Sequence, residues 1–314
     1  MFLTCGEALV DMIAVEIGGR RLFEPVIGGS PLNVALGLAR LGRRVAHLTR
    51  LSSDPFGEEI AAFMDREGID RRFAARSPRP STLVHVMLDR HGVPRYAFHL
   101  EGAADRSMTL GDLPADLPAE IDAIHFGSIS LLLEPTATTL RALMRREATR
   151  RFIALDPNIR PAVTPDPAAV LDRFDELLAH ADLIKASSED VAFLHPGEGP
   201  EEVAARWSRS GPAMAVVTDG ERGVVAAIGG RTIVVPARPV AVLDTVGAGD
   251  GFQAALLDRL AARGLLTRGA LAAAAIEDLR PALDFAAAAA TLACGRRGAD
   301  LPRAAEVEAF LAGR

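Results

Sequence analysis

Hydrophobic and polar positions predict strands and helices in regular alternation over most of the chain. Residues 2–10 form a nearly continuous apolar run that predicts a buried strand, and residues 31–41 repeat apolar side chains at helical spacing behind a proline. The alternation resumes beyond residue 120. Because parallel strands are joined through helical crossovers, this pattern predicts an α/β fold: a three-layer α/β/α sandwich around a mostly parallel central sheet.

Two stretches break the alternation and predict a second, smaller sheet. Residues 12–24 carry two consecutive glycines between short apolar runs, and residues 82–101 carry a glycine-containing turn at 89–92. We expect both hairpins to pair into one small sheet that projects from the main domain as a lid over a cleft. The main domain would then comprise residues 1–11, 25–81 and 102–314.

Composition narrows the classes of partner. The chain has 314 residues, a net charge of −6 and only two cysteines, so neither nucleic acid binding nor a cysteine-based metal site or disulfide framework is indicated. The start lacks the pattern of a signal peptide. The longest apolar run, residues 285–294, is too short for a membrane span. These features predict a soluble, cytoplasmic protein without a membrane partner.

The most informative segment, residues 243–252, predicts a strand end, a turn of small residues and the start of a helix. Gly247, Ala248 and Gly249 let the backbone approach a ligand closely, and the unpaired amides of the helix start favour an anion. A carboxylate inside such an anion site, Asp250, fits a base that deprotonates an attacking hydroxyl. The alternative is an aspartate that only stabilises its helix. A Walker A loop is absent, and the glycine spacing does not match the dinucleotide fingerprint.

Four segments together resemble the ribokinase-like, or PfkB, family of carbohydrate kinases, and the similarity covers nearly the whole chain. They are residues 6–11 (GEALVD), 28–35 (GGSPLNVA), 156–160 (DPNIR) and 244–250 (DTVGAGD). The last is the most specific. The resemblance implies a ribokinase-like sandwich with a β-sheet lid, and bacterial fructokinases are the most similar branch.

For the reacting groups, the resemblance implies that Asp250 is the base, while the Gly247, Ala248 and Gly249 backbone and Arg160 stabilise the transferred phosphoryl group. Asp11 is expected at the end of the first strand, where carboxyl ends of parallel strands meet ligands. The implied sugar-binding residues are Asp11, Gly28, Gly29, Asn33, Tyr96, Phe98 and Asn158. A helix-surface amide at Asn33 and a surface arginine at 160 are the structural alternatives.

The resemblance also implies a nucleotide site. Its expected residues are Lys185, Ser187, Thr218, Gly220, Gly223, Ala287 and Gly298. Asp190 is expected to reach Mg²⁺ through water, with a helix-capping pair of Ser187 and Asp190 as the alternative. Asp244 and the Val246 carbonyl match a loop that holds K⁺ in some members. Lys185 is the only lysine of the chain, either by chance or because arginine cannot replace it.

These expectations define an ATP- and Mg²⁺-dependent sugar kinase, with fructose as the first candidate acceptor. The alternatives within the family are 2-keto-3-deoxygluconate and a ribonucleoside or aminoimidazole riboside. A sugar acid would need an extra cation near the cleft, whereas a nucleoside would use an aromatic wall such as Tyr96 and Phe98. A non-catalytic sugar- or nucleotide-binding regulator is the remaining alternative. The partner is a small sugar, and a homodimer through the lid is a further expectation.

Overall fold

The computed structural model describes residues 1–88, 94–164 and 166–313, and the turn expected at 89–92 lies outside them. The strands are β1 (Phe2–Cys5), β2 (Leu9–Ile17), β3 (Arg20–Gly28), β4 (Val45–Ser52), β5 (Ala74–Ser77), β6 (Leu83–Leu88), β7 (Pro94–His99), β8 (Ala123–Gly127), β9 (Phe152–Asp156), β10 (Leu183–Ser187), β11 (Met214–Thr218), β12 (Val224–Ile228) and β13 (Arg231–Val235).

The α-helices lie between and after these strands. They are α1 (Ser30–Arg40), α2 (Pro55–Arg66), α3 (Thr136–Glu147), α4 (Pro167–Leu178), α5 (Ser188–Leu194), α6 (Pro200–Ser210), α7 (Ala248–Ala262), α8 (Arg268–Ala272), α9 (Arg280–Cys294) and α10 (Ala304–Leu311). Among the described residues, none of the helices is long and apolar enough to cross a bilayer.

Nine strands form the central sheet, in the order β13-β12-β11-β10-β9-β8-β1-β4-β5. All neighbours from β11 to β5 are parallel, and β12 and β13 extend the sheet as antiparallel edge strands. Apolar side chains of α1, α7 and α9 cover one face, and those of α3, α4 and α6 cover the other. This confirms the three-layer sandwich. It also places the carboxyl ends of β1, β8, β9 and β10 side by side.

A separate four-stranded sheet has the order β3-β2-β6-β7. Its strands come from the two predicted hairpin regions, and β2 pairs in parallel with β6. The register places Asp11 beside Val84 and Val84 beside Phe98, so Asp11 and Phe98 share one row and one face of this sheet.

The first strand is shorter than predicted. Residues 2–10 are apolar throughout, yet β1 ends at Cys5 because the chain turns at Gly6, whose φ is +148° and whose missing side chain leaves room for Pro31. The chain then enters the small sheet at Leu9. Asp11 therefore lies within β2 of the small sheet, and the expectation that it ends the first parallel strand was wrong.

Candidate active site

Asp250 lies in the first turn of α7 and is only 6% exposed. One carboxylate oxygen accepts a hydrogen bond from Ser30 Oγ (2.7 Å) and the other from Asn33 Nδ2 (2.8 Å), both on α1. These two donors fix the orientation of the carboxylate. Asn33 is therefore a buried partner of Asp250 and not a helix-surface amide.

The turn before Asp250 depends on a glycine. Gly247 caps α7 with φ +77°, and a Cβ there would lie 2.9 Å from the Cα of Ala299. The N–H of Ala248 donates to the Thr245 carbonyl oxygen (3.2 Å). Since first-turn amides have no acceptor within their own helix, the N–H groups of Gly249 and Asp250 are the ones suited to an incoming anion.

Beneath this turn lies a buried ion pair. Lys185 Nζ, from the middle of β10, donates to Asp156 Oδ2 at the end of β9 over 2.8 Å, and both side chains are buried. Burial lowers the pKa of Lys185, but the charges of Asp156, Asp250 and Asp190 outweigh it, so the pKa lies above its usual value. Burial raises the pKa of Asp156 to about 6, although the lysine charge opposes this shift.

The loop after β9 carries a strained residue. Asn158 has φ +39°, a conformation that costs a non-glycine residue free energy and that clusters at functional sites. Arg160 Nη1 donates to Asn158 Oδ1 (2.6 Å), and Arg160 is half-buried rather than freely solvated. Its charge also reaches Asp11, where it opposes the effect of burial. Arg160 and Asn158 therefore lie as one unit near the acceptor side of the site.

Asp190 forms the capping pair that was the alternative to a metal role. Its Oδ2 accepts hydrogen bonds from Ser187 N (2.8 Å) and Ser187 Oγ (2.7 Å), and its Oδ1 accepts one from Ile159 N (2.7 Å). Both oxygens are thus engaged within the protein. Among the described residues, no cluster of three or more acidic, histidine or cysteine side chains could hold a metal ion directly.

Asp11 occupies the space that a side chain at residue 28 would fill, because a Cβ on Gly28 would lie 2.4 Å from Asp11 Oδ2. Burial raises the pKa of Asp11 to about 6, and the Arg160 charge limits this shift. Gly29 has φ +110°, and a Cβ there would meet the Glu7 carbonyl oxygen at 2.5 Å. The glycine pair therefore brings backbone and carboxylate together at the junction of the two sheets.

Two aromatic rings share the sheet face of Asp11. Tyr96 and Phe98 are on β7 with ring centroids 6.3 Å apart, and Tyr96 is 44% exposed. Burial raises the pKa of Tyr96, while the Arg160 charge lowers it and the Asp11 charge raises it, so both charged groups are near the phenol. Asp11, Tyr96 and Phe98 thus lie on one face of the small sheet, with the Arg160 charge nearby.

The expected nucleotide residues lie on several elements. Thr218 ends β11, and Gly220 and Gly223 form the turn that follows it, both with positive φ. Gly223 permits close packing, since a Cβ there would lie 2.1 Å from the Val235 carbonyl oxygen. Ala287 is a buried residue of α9.

Asp244 joins the two ends of this region. Its Oδ1 accepts from Val246 N (3.0 Å) and its Oδ2 from Gly298 N (2.9 Å). The loop expected to hold a monovalent cation is therefore tied directly to the turn expected to border adenine.

Comparison with known proteins agrees with this geometry. The model of the pfkB family of carbohydrate kinases matches residues 4–305. The chain belongs to the PfkB family. It is 39% identical over 281 residues to a fructokinase of Rhizobium leguminosarum bv. trifolii, covering 89% of this chain and 86% of the relative, and 38% identical over 264 residues to one of Klebsiella pneumoniae, covering 83% and 84%.

Solved structures of other fructokinases have the same fold. An ATP-bound fructokinase from Xylella fastidiosa superimposes with a TM-score of 0.91 at 28% identity, covering 99% of this chain and 98% of its own. A double mutant of the Vibrio cholerae O395 fructokinase, bound to fructose, ADP and potassium, gives 0.84 at 28% identity, covering 99% and 97%. The PfkB member described here is thus an ATP-dependent carbohydrate kinase with a ribokinase-like fold.

Some residues of the PfkB site were missed from the sequence. Ser30 holds Asp250 across 220 positions of chain, and Asp156 is the partner of Lys185. Both residues stand inside the segments that carry the family resemblance. The segments could have identified Ser30 and Asp156 as candidate site residues. That Ser30 contacts Asp250 and that Asp156 contacts Lys185 follows only from the fold.

A further buried carboxyl group, that of Asp105, lies where the chain leaves the small sheet. Thr82 Oγ1 donates to Asp105 Oδ1 (2.5 Å). Burial raises the pKa of Asp105 to about 7; the Thr82 bond opposes this, and the nearby Glu7 carboxylate adds to it. Burial likewise raises the pKa of Glu7, which accepts a hydrogen bond from Ser130 Oγ (2.5 Å).

Replacing Asp105 by asparagine is expected to flatten the pH dependence of stability. Between about pH 4 and pH 7 the unfolded chain ionises Asp105 while the folded protein keeps it protonated, so the wild type loses stability as the pH rises. The neutral amide does not titrate, so the variant lacks this pH-dependent change in the free energy of unfolding, which is on the order of a few kcal/mol in the wild type. Denaturant unfolding at pH 4.5 and 8 measures it, and an equal loss of stability in both proteins would contradict the buried, protonated Asp105.

Proposed function

We propose that this kinase transfers the γ-phosphoryl group of ATP to a hydroxyl of fructose, with Asp250 as the general base. The buried Asp250 carboxylate, oriented by Ser30 and Asn33 at the start of α7, is the observation that carries the proposal. A carboxylate held beside free amides can accept a proton while those amides meet the developing charge on the phosphoryl group.

In this mechanism the sugar hydroxyl attacks the γ-phosphate in line, and Asp250 accepts its proton. The Gly249 and Asp250 amides and the Arg160 guanidinium stabilise the equatorial oxygens of the transferred group. The strained Asn158 positions Arg160 through its side-chain oxygen. The Gly247 turn keeps the amides and the carboxylate in fixed relation during the step.

We propose that Mg²⁺ enters with ATP and neutralises phosphate charge. Asp190 fits such an ion only through water, because both its oxygens already accept hydrogen bonds. K⁺ is the proposed monovalent ion, with Asp244 and the Val246 carbonyl at its site. Each Asp244 oxygen accepts a single backbone hydrogen bond, so a lone pair on each would remain for the ion. Lys185, Ser187, Thr218, Gly220, Gly223, Ala287 and Gly298 form the proposed nucleotide side.

Fructose is favoured as the acceptor by the identity to bacterial fructokinases. A sugar acid would need an extra cation beside the cleft, for which Arg95 and Arg106 are the candidates in the sequence. Arg106 Nη2 donates to the Glu134 carbonyl oxygen at 3.4 Å. The Tyr96–Phe98 pair is the observation that favours a nucleoside instead. An ADP-release assay over fructose, 2-keto-3-deoxygluconate, adenosine and aminoimidazole riboside decides between them: the highest kcat/KM is expected with fructose, and a higher value with another acceptor would overturn this assignment.

Replacing Asp11 by alanine is expected to weaken fructose binding while ATP binding stays nearly unchanged. Asp11 lies on the small sheet, in one row with Phe98, and a charged hydrogen-bond partner contributes roughly 1.5–3 kcal/mol. Calorimetry with each ligand measures the two affinities. Glu16→Ala, an exposed residue on the opposite face of the same strand, is the matched control. Equal losses for sugar and nucleotide would count against an acceptor role.

We propose that residues 12–24 and 82–101 move as a lid. The outer strand β3 is exposed along most of its length, so the small sheet has few contacts that would hold it closed. Backbone amides of β3 and β7 are expected to exchange with deuterium faster than those of β9, and to gain protection only when fructose and a non-hydrolysable ATP analogue are both present. Slow exchange without ligand, unchanged on addition, would identify a fixed wall.

A homodimer through the same sheet is the proposed assembly. Ile17, Leu22 and Phe23 expose apolar surface on the outer hairpin, and exposed strand edges readily pair. Sedimentation of the wild type and of Ile17→Asp tests this: a dimer that the substitution dissociates is expected, and a monomeric wild type would exclude it.

A further inference from the structure

Lys185 stands apart from every other basic residue of the chain. Of the 35 lysine and arginine residues it alone is lysine. Its side chain is 4% exposed, whereas its partner Asp156 is fully buried at a distance of 2.8 Å. A buried charge is costly unless it is paired. Because stability alone does not favour a buried ion pair over apolar residues of similar volume, a functional role for the Lys185–Asp156 pair is to be considered.

The space around the Lys185 ammonium excludes an arginine. A Cβ built on Gly249 would lie only 2.8 Å from Lys185 Nζ, so the ammonium packs directly against the first turn of α7. A guanidinium is wider and planar, whereas an ammonium is a compact point charge. The missing side chain at Gly249 and the compact head of Lys185 thus fit each other. This contact brings a full positive charge beneath the amides that precede Asp250.

We propose that Lys185 is a positioning residue for phosphoryl transfer, which, held by Asp156, keeps a positive charge against the first turn of α7. This charge adds to the positive potential that receives the phosphoryl group. The inference rests on the proposed function of Asp250. It also explains why a lysine remains in a chain whose other basic residues are arginine.

The charged and titratable groups that face Lys185 come from four elements: His125 on β8, Asp156 on β9, Asp190 on α5 and Asp250 on α7. Burial lowers the pKa of His125 to about 3, with the Lys185 charge adding to the effect, so this imidazole stays neutral above pH 5. Three carboxylates thus share one buried cation. Removing the cation alone would leave Asp156 unpaired, which confounds any single substitution.

A neutral pair separates the two roles that Lys185 can have. The double variant Lys185→Met with Asp156→Asn keeps the side-chain volumes and removes both charges of the ion pair together, so Asp156 is not left as an unpaired carboxylate. A purely structural pair would be replaced in this way without loss of activity. If the charge serves catalysis, the double variant should keep its Tm within a few degrees yet lose about 10- to 100-fold in kcat. Its KM values for fructose and ATP should stay close to those of the wild type, because the charge acts on the transferred group rather than on the binding of either ligand.

Lys185→Arg is the matched control, because it keeps the charge but not the fit. It should lower kcat less than the neutral pair does, because the positive charge remains although the first turn of α7 is displaced. A neutral pair with wild-type kcat would overturn the proposal.

The single lysine also allows a direct measurement that does not depend on activity. Protein labelled with ¹⁵N-lysine contains one side-chain ammonium, so its NMR signal reports Lys185 alone. We expect Asp250→Asn to shift this signal, and Asp258→Asn, further along the same helix, to leave it in place. An unchanged signal in Asp250→Asn would overturn the coupling. A wild type that phosphorylates no acceptor would refute the proposed function, whereas normal activity with an unshifted signal would refute only this inference.

Discussion

Asp250→Asn is expected to lower kcat by about 10³- to 10⁴-fold while fructose and ATP still bind. The amide is isosteric with the carboxylate, and its oxygen can still accept the Asn33 hydrogen bond while its nitrogen faces the Ser30 hydroxyl. The fold should persist. What is lost is the ability to accept a proton from the attacking hydroxyl.

The measurement is a steady-state ADP-release assay, with calorimetry to confirm that both ligands bind. Asp258→Asn is the matched control, because Asp258 is a buried carboxylate of the same helix whose partners are Arg43 and Arg259. That variant should lose stability but keep its kcat. An Asp250→Asn enzyme with more than about a tenth of the wild-type kcat would rule out Asp250 as the base.

Gly247→Ala is expected to lower kcat about 100-fold, since a displacement of about 1 Å at a reacting centre has an effect of this size. The residue has φ +77°, and its Cβ would lie 2.8 Å from Ala299 Cβ and 2.9 Å from Ala299 Cα. The Ala299 Cα is a backbone atom, and it cannot move aside as the end of a flexible side chain could. The first turn of α7 must therefore shift, and it carries Asp250 and the anion-binding amides with it.

Gly264→Ala controls for backbone strain alone. Gly264 follows the other end of α7 with φ +70°, and no atom lies within 4 Å of its Cβ position. In both variants an alanine must adopt a left-handed backbone conformation, which costs on the order of 1 kcal/mol of stability, but only Gly247→Ala displaces the anion-binding turn. Equal kcat values for the two variants would show that the geometry of the turn does not govern the reaction.

The sandwich was predictable because each of its elements has a local signal. A proline at the start and a glycine past the end predict a helix over residues 31–41, and the structure has α1 at Ser30–Arg40. The small-residue turn before Asp250 marks the start of α7 in the same way, and the helix begins at Ala248. Local conformational preference locates the start of both helices, whereas an apolar face marks α1 alone, because α7 is buried along most of its length.

The break after β1 was not predictable from apolar period. Leu9 and Val10 are as hydrophobic as Phe2 and Leu3, and both pairs are buried, but they are buried in different sheets. Only the positive φ of Gly6 separates them, and a single glycine in an apolar run does not say whether a strand bends or ends. Asp11 was consequently expected in the wrong sheet.

The side-chain pairs that join distant parts of the chain at the site could not be predicted from the sequence either. Asp250 meets Ser30 over 220 positions and Lys185 meets Asp156 over 29, and nothing in either local pattern encodes the distance. The residue types were visible as candidates, whereas the pairing depends on how the carboxyl ends of β9 and β10 and the starts of α1 and α7 converge.

The central claim is that Asp250 directs a phosphoryl group from ATP to a fructose hydroxyl and not to water. Phosphorus NMR of wild-type protein with ATP, Mg²⁺ and fructose follows the fate of that group directly. The account predicts that ADP and a sugar phosphomonoester appear in equal amounts, and that both form about 10³- to 10⁴-fold more slowly with Asp250→Asn. ADP accompanied by inorganic phosphate, or a sugar phosphate formed by Asp250→Asn at the wild-type rate, would contradict it.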